Sequence, residues 1–276
     1  MSGYGKVPPG VDPTVPSVAR MYDYYLGGKD NYESDRIAAE KVIELGRQAG
    51  ADVKGTALSN RAFLVRAVRT LAEAGIRQFL DIGTGLPTQE NVHEVALRHA
   101  PDSRIVYVDN DPTVLAHARA LLADDRQTTV IQGDLTDPES ILGDAVLQER
   151  IDFGEPVAVI FCAILHFIPD DEAAANAVAR FRQEMCSGSH LVLSHLFPGQ
   201  VAEEMVTEFG RIYHRTATGS ITVRTLKQIR EFFTGTELLP PGLVPVEAWR
   251  HGDGLREDYV PDYGTPSCLG GIGRVP

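Results

Sequence analysis

Three aspartates each close a short apolar run in this chain of 276 residues. Asp81 follows Phe79-Leu80 and opens onto Ile82-Gly83-Thr84-Gly85, Asp109 follows Tyr107-Val108 and precedes Asn110, and Asp134 stands between Gly133 and Leu135. If the runs are strands of one parallel sheet, their carboxyl ends share an edge, and the acids converge on the crevice where such sheets bind ligands. The chemistry suits a neutral adenosine carrying an amino-acid tail. Asp109 can accept both ribose hydroxyls, Asp134 with the Leu135 backbone can address the adenine edge, and Gly83 and Gly85 let backbone approach the amino-acid portion. Any one such aspartate alone is more often a loop or helix-cap residue; it is the ordered series that points to a site.

A dinucleotide fits less well. The turn lacks the last glycine of G-x-G-x-x-G, Pro87 has no N–H to offer a pyrophosphate, and Asp109 lies 28 positions beyond Asp81 where the dinucleotide pattern wants about 20.

The elements that must position these residues can be read from periodicity. Ser17 is a plausible N-cap for a helix with Val18, Met21, Tyr22, Tyr25 and Leu26 on one face, ended by Gly27-Gly28. A second helix is expected over 34–45, a loop over 46–55, and a strongly periodic helix over 60–74 closed by Gly75. The strand at 79–82 then enters the glycine turn, and Thr88, Gln89 and Glu90 are expected in the first turn of the helix that follows. Strands are predicted at 103–108, 128–132, 156–165 and 189–194. Helices follow at Pro112 (capped by Asp111), over 138–147, and from Asp170-Asp171. Beyond them come a helix carrying Val201, Met205, Phe209 and Ile212, a capping box at Thr225 and Gln228, and strands at 244–250 and 267–275. This alternation predicts an α/β fold with a doubly wound parallel sheet. It divides into an N-terminal tail and helical extension over 1–57, able to serve as a lid, and a catalytic-type domain over 58–276.

Composition narrows the partners. A net charge of −12 disfavours a broad grip on nucleic acid or an anionic membrane, and no apolar run reaches a membrane span. Cys162, Cys186 and Cys268 have no metal-ligand spacing and leave an odd thiol after any pairing. The expectation is a reduced, cytoplasmic protein.

Taken together, Asp81-Ile82-Gly83-Thr84-Gly85, Tyr107-Val108-Asp109-Asn110 and Gly133-Asp134-Leu135 resemble the class I S-adenosylmethionine-dependent methyltransferases. More narrowly, the segment from Met21 to Tyr32, Asn60-Arg61-Ala62-Phe63-Leu64, Val108-Asp109-Asn110-Asp111-Pro112 and Leu165-His166-Phe167-Ile168-Pro169-Asp170 resemble a bacterial S-adenosyl methyltransferase family long carried as a domain of unknown function. The resemblance implies a Rossmann-like seven-stranded sheet with six parallel strands and the last antiparallel. It implies S-adenosyl-L-methionine as cofactor, and no particular substrate. Carried over by position, Asp81, Gly83, Thr84 and Gly85 would line the methionine end, Asp109 and Asn110 the ribose, Gly133, Asp134 and Leu135 the adenine, and Cys162 the region beside the sulfonium.

The run after the fourth strand lacks the Asn/Asp-Pro-Pro-Tyr signature of enzymes that methylate base or amide nitrogens, and resembles the Leu-His-x-x-x-Asp pattern of small-molecule enzymes. Methyl transfer needs alignment first, so a general base is optional. His166 is the best base candidate and His195 the second, with packing or capping as the alternative for both. No metal is expected. Arg20, Tyr24, Lys29 and Tyr32 are candidates for touching substrate or forming a lid, Tyr22 and Tyr25 are expected mainly in the core, and Gly27-Gly28 could act as a hinge. The rival readings are a cofactor-binding sensor without turnover and an NAD-dependent oxidoreductase.

Overall fold

The computed structural model describes residues 11–87, 90–122, 125–217, 219–249 and 260–276. The chain opens with α1 (Val18–Tyr25), α2 (Glu33–Gln48) and α3 (Val53–Glu73). Between α1 and α2, Asp23 is buried and accepts hydrogen bonds from Asp30 N at 3.0 Å and Asn31 Nδ2 at 2.7 Å. A Cβ on Gly28 would lie 1.9 Å from Asp23 Oδ1. The glycine pair therefore wraps a buried carboxylate in a tight loop rather than leaving a free joint. Helix α3 begins well before the expected start at Asn60, because Asp52 caps it by accepting from Gly55 N at 2.9 Å. The loop expected over 46–55 shrinks accordingly, and α3 runs unbroken across the expected boundary at 57/58.

Then follow β1 (Gln78–Ile82), α4 (Val92–His99), β2 (Arg104–Asp109), α5 (Pro112–Leu121) and β3 (Thr128–Gln132). Helix α4 is capped by Asn91, whose N–H donates to Glu94 Oε2 at 2.7 Å. Glu90 precedes the cap at φ 57, outside the first turn, and Thr88 and Gln89 lie outside the described residues. The helix expected over 138–147 is two, α6 (Pro138–Leu142) and α7 (Ala145–Arg150), since Asp144 caps anew by accepting from Val146 N and Leu147 N.

The second half contains β4 (Ala158–Cys162), α8 (Asp171–Glu184), β5 (His190–Phe197), α9 (Glu203–Tyr213), α10 (Leu226–Glu231), β6 (Glu237–Leu238), β7 (Val244–Pro245) and β8 (Ser267–Arg274). The strand order is β3-β2-β1-β4-β5-β8-β6, with β7 also on β8. Strands β1 to β5 are mutually parallel, and β8 runs antiparallel to β5 along its whole length. Of the sixth strand expected over 244–250 only Val244–Pro245 pairs, as β7, and β6, which lies before that range, pairs further along the same outer edge of β8. Pro240 and Pro241, which have no N–H to give a ladder, stand between them. Arg250 lies outside the described residues.

Alternation along the buried strands sends Leu80, Val106 and Leu191 into one core layer and Phe79, Ile105 and Val192 into the other, where α3 and α4 cover them. A third cluster joins Met21, Tyr25, Ala39 and Val42 of the extension to Tyr213 of α9. The extension and α9 thus share one small core above the carboxyl edge of the sheet.

Candidate active site

β1 lies at the centre of the sheet, so its exit is flanked by the exits of β2 and β4. Asp81 is buried there, and burial, together with the Asp109 charge and against the opposing pull of Arg61, raises its carboxyl to about 7. The turn that follows holds Gly83 at φ 72 and Gly85 at φ 70. A Cβ on Gly83 would lie 2.4 Å from Ile164 Cγ1, whereas one on Gly85 would meet nothing within 4 Å. Gly83 is thus needed for close packing against the loop after β4, while Gly85 leaves its side open.

Asp109 accepts from Gly85 N and from Asp111 N, each at 2.9 Å, so one carboxylate ties the glycine turn to the end of β2. Burial raises it to about 6 in spite of those bonds. Asp134 is exposed and accepts from Thr136 N at 2.8 Å and Thr136 Oγ1 at 2.7 Å, which outweigh desolvation and lower its pKa. Asn110 Nδ2 lies 3.5 Å from Asp134 Oδ2.

A cleft of about 330 Å³ runs along these strand ends and is lined by Asp81, Gly83, Thr84, Gly85, Asp109, Asn110, Gly133, Asp134, Leu135 and Cys162, together with Arg61. Its roof is the extension. Val18, Ala19 and Tyr22 of α1 line it, and Ser17 Oγ donates to Asp111 Oδ2 at 2.6 Å while Ser17 N donates to Asp35 Oδ1 at 2.8 Å. Asp35 is also the partner of buried Arg20, at 2.8 Å. On the far side Ala217 N donates to Pro16 O at 2.9 Å.

A second, apolar chamber of about 170 Å³ adjoins the cleft. Val18, Tyr22, Asn60, Ala163 and Phe167 line both. The junction is pinned by hydrogen bonds: Asn60 Nδ2 donates to Tyr22 Oη at 2.9 Å, Ser194 Oγ donates to Asn60 Oδ1 at 2.6 Å, and Ala163 N donates to Ser194 Oγ at 3.0 Å. Ala163 takes φ 54, a conformation that costs energy for a residue with a Cβ and that Ser194 holds in place.

His166 and Phe167 follow in a short 3-10 turn, Leu165–Phe167. Arg224 staples this loop by donating to Leu165 O and Ile168 O, each at 2.9 Å, and to Asp171 Oδ1 at 2.9 Å. His166 is buried, lines the chamber, and has no partner for Nδ1 among the described residues. Burial, then His195 and Arg224, hold its pKa well below the usual value, so the imidazole is neutral. His195 is spent on structure: Nδ1 meets Leu196 O at 2.7 Å, Nε2 meets Arg224 Nη1 at 3.1 Å, and its ring stacks on Phe232.

The ten residues expected around the cofactor come together in one cleft, while the four lid candidates do not line either space. Arg20 is consumed by Asp35 and by Val15 O, and its guanidinium lies over the Tyr32 ring. Tyr24 bonds Glu40 beneath Lys54, and Lys29 is exposed. Tyr25 lies in the third core cluster and Tyr22 packs against it, as expected, and both also line the chamber. Asn60 and Arg61 stand in a motif to which the resemblance attaches no role. A polar Asn60 on the same helical stripe as Phe63, Leu64 and Ala67 was the available signal.

A Rossmann-like sheet with a reversed strand beside β5 and a cleft across the β1, β2 and β4 exits is the methyltransferase architecture. The chain belongs to the S-adenosyl methyltransferase family, whose model matches residues 5–276. It is an S-adenosylmethionine-dependent methyltransferase. Its relatives of known structure include a candidate methyltransferase from Thermobifida fusca, 39% identical over 99% of both chains with a TM-score of 0.86. Another is a DUF574 family protein from Streptomyces avermitilis, 39% identical over 96% of this chain and 99% of that one, with a TM-score of 0.84. An O-methyltransferase family protein from Burkholderia thailandensis, 16% identical over 82% of this chain and 61% of that one, shares the fold at a TM-score of 0.50. No curated protein matches the chain.

Proposed function

We propose that the acceptor is a small molecule that enters the apolar chamber, with the cofactor lying along the strand ends. The observation that carries this reading is that the two spaces lie side by side and share Val18, Tyr22, Asn60, Ala163 and Phe167 in their walls. In this reading Asp81 faces the ammonium of the methionine end, with Arg61 beside it for the carboxylate, Gly83, Thr84 and Gly85 forming the floor. Asp109, already oriented by two backbone donors, keeps lone pairs for ribose hydroxyls, with Asn110 alongside. Gly133, Asp134 and Leu135 border the adenine, and Cys162 and Ala163 flank the junction.

When bound, S-adenosylmethionine supplies an electrophilic methyl carbon, and on transfer to an acceptor lone pair the carbon–sulfur bonding pair stays on sulfur. The protein's own part is alignment and exclusion of water. Tyr22, Asn60 and Ser194 fix the junction, and neutral His166 orients the acceptor by taking a hydrogen bond from it, while the proton the acceptor loses as the new bond forms passes to solvent. A cytoplasmic setting is supported by Cys162, Cys186 and Cys268 all being free thiols. The net charge of −12 and the roof over the cleft speak against a nucleic-acid acceptor.

Incubation with methyl-labelled S-adenosylmethionine and a whole cell extract should place the label, and one methyl mass, on a molecule small enough to pass ultrafiltration. Label recovered only in protein or nucleic acid would refute the reading.

A further inference from the structure

Resting on that reading, the chamber also carries information about what the acceptor looks like. Among the described residues its lining includes no Asp, Glu, Lys or Arg. Tyr25, Phe167, Phe209 and Tyr213 supply aromatic walls, and the Tyr25 and Tyr213 hydroxyls lie 3.4 Å apart. At the junction Tyr22, Asn60 and Ser194 are engaged with one another. Two buried polar atoms of the lining remain without a hydrogen-bond partner among the described residues, His166 Nδ1 and Ser267 Oγ. Buried polar atoms are nearly always satisfied, and both of these are closed to solvent in the free protein, so a ligand would complete the bonding once the His166 ring or the Ser267 hydroxyl turns into the chamber.

We infer that the acceptor is an uncharged, flat, apolar molecule of single- or fused-ring size, held by aromatic walls and by a single protic group hydrogen-bonded to His166 Nδ1. A charged acceptor would bury its charge with no counter-ion, which costs far more than the apolar contacts return. The chamber, at about 170 Å³, is also smaller than the roughly 300 Å³ at which pockets for drug-sized ligands begin. Neutral His166 suits the role, because it offers a lone pair without placing a second charge in the chamber. His195, with both ring nitrogens engaged, cannot relay a proton onward, and burial disfavours an imidazolium at His166, so the acceptor's proton leaves to solvent through the chamber mouth.

The test is calorimetric titration of the full chain, with and without S-adenosylhomocysteine, using 2-naphthol, 2-naphthoate and 2-methoxynaphthalene as probes. 2-Naphthol should bind on the order of 100-fold more tightly than 2-naphthoate and about tenfold more tightly than 2-methoxynaphthalene. His166→Phe should abolish only the second difference. Val206→Lys, on the half-buried face of α9, should bring a cation into the chamber and invert the preference toward 2-naphthoate. The inference is overturned if 2-naphthol does not bind, if 2-naphthoate binds as well to the unaltered protein, or if Val206→Lys leaves the order unchanged. Absence of S-adenosylhomocysteine binding would sink the cofactor placement instead, since the probe series is read without it as well.

Discussion

Asp81 makes the cofactor placement open to a pH test. In the free protein its carboxyl is raised to about 7, burial being the main cause. An ammonium brought against it would restore the anion and return the pKa toward the ordinary 3.8. The free site is therefore protonated below about pH 7 and must lose that proton to bind. Affinity for S-adenosylhomocysteine should be full above pH 7 and fall as the pH drops through it. Between pH 8 and pH 5 linkage gives a loss of about 100-fold, or ~2.7 kcal/mol.

The same linkage predicts proton release on binding. Calorimetry in buffers of different ionisation enthalpy should find on the order of one proton released at pH 6 and almost none at pH 8.5. Asp109, raised to about 6, adds to the slope only at the acid end. Asp81→Asn should bind weakly at every pH and lose the dependence between pH 8 and 6. A flat profile for the unaltered protein, or an equally steep one for Asp81→Asn, would refute the placement of the amino group at Asp81.

Asp109→Ala should weaken cofactor binding by more than about 1 kcal/mol in the same titration, since charged hydrogen bonds are worth roughly 1.5–3 kcal/mol each; unchanged affinity would reduce Asp109 to a loop cap for Gly85 and Asp111. Gly83→Ala should lower unfolding stability in urea by about 1–3 kcal/mol, because φ 72 disfavours a Cβ that would also collide with Ile164. Asp35→Ala strands buried Arg20 and should cost about 3–5 kcal/mol by the same measurement, loosening the roof with it. Burial, aided by Arg224, lowers His195 to about 3, so its contribution is complete above pH 6.5. Stability should then be lost at about 1.4 kcal/mol per pH unit as the pH falls toward 3, less steeply in His195→Phe.

The cofactor side of the site was legible because it is local. A strand closing on an acid recurs three times along the chain, and a parallel sheet leaves such ends only one edge on which to meet. The two-part edge strand was harder to read. Glu237–Leu238 and Val244–Pro245 are too short for a periodic signal, and they pair only because β8 offers an open edge. The helix starts at Val53 and Val92 depended on caps, Asp52 and Asn91, that sit among residues equally at home in loops.

The acceptor side could not be read in this way. Tyr22 and Tyr24 are both aromatic residues of one helix, and nothing in their order says that one walls a chamber while the other bonds Glu40 on the surface. Arg20 and Arg61 are alike in composition. One is neutralised by Asp35, 15 residues away, and the other donates to Asn91 Oδ1 at 3.0 Å and lines the cleft near Asp81. By itself the sequence determined the sheet, the order of the acids and the cofactor edge, because each follows from neighbouring residues. Only the tertiary structure decided which polar groups are spent on one another and which remain for a ligand, because hydrogen bonds and burial are settled between segments far apart in the chain.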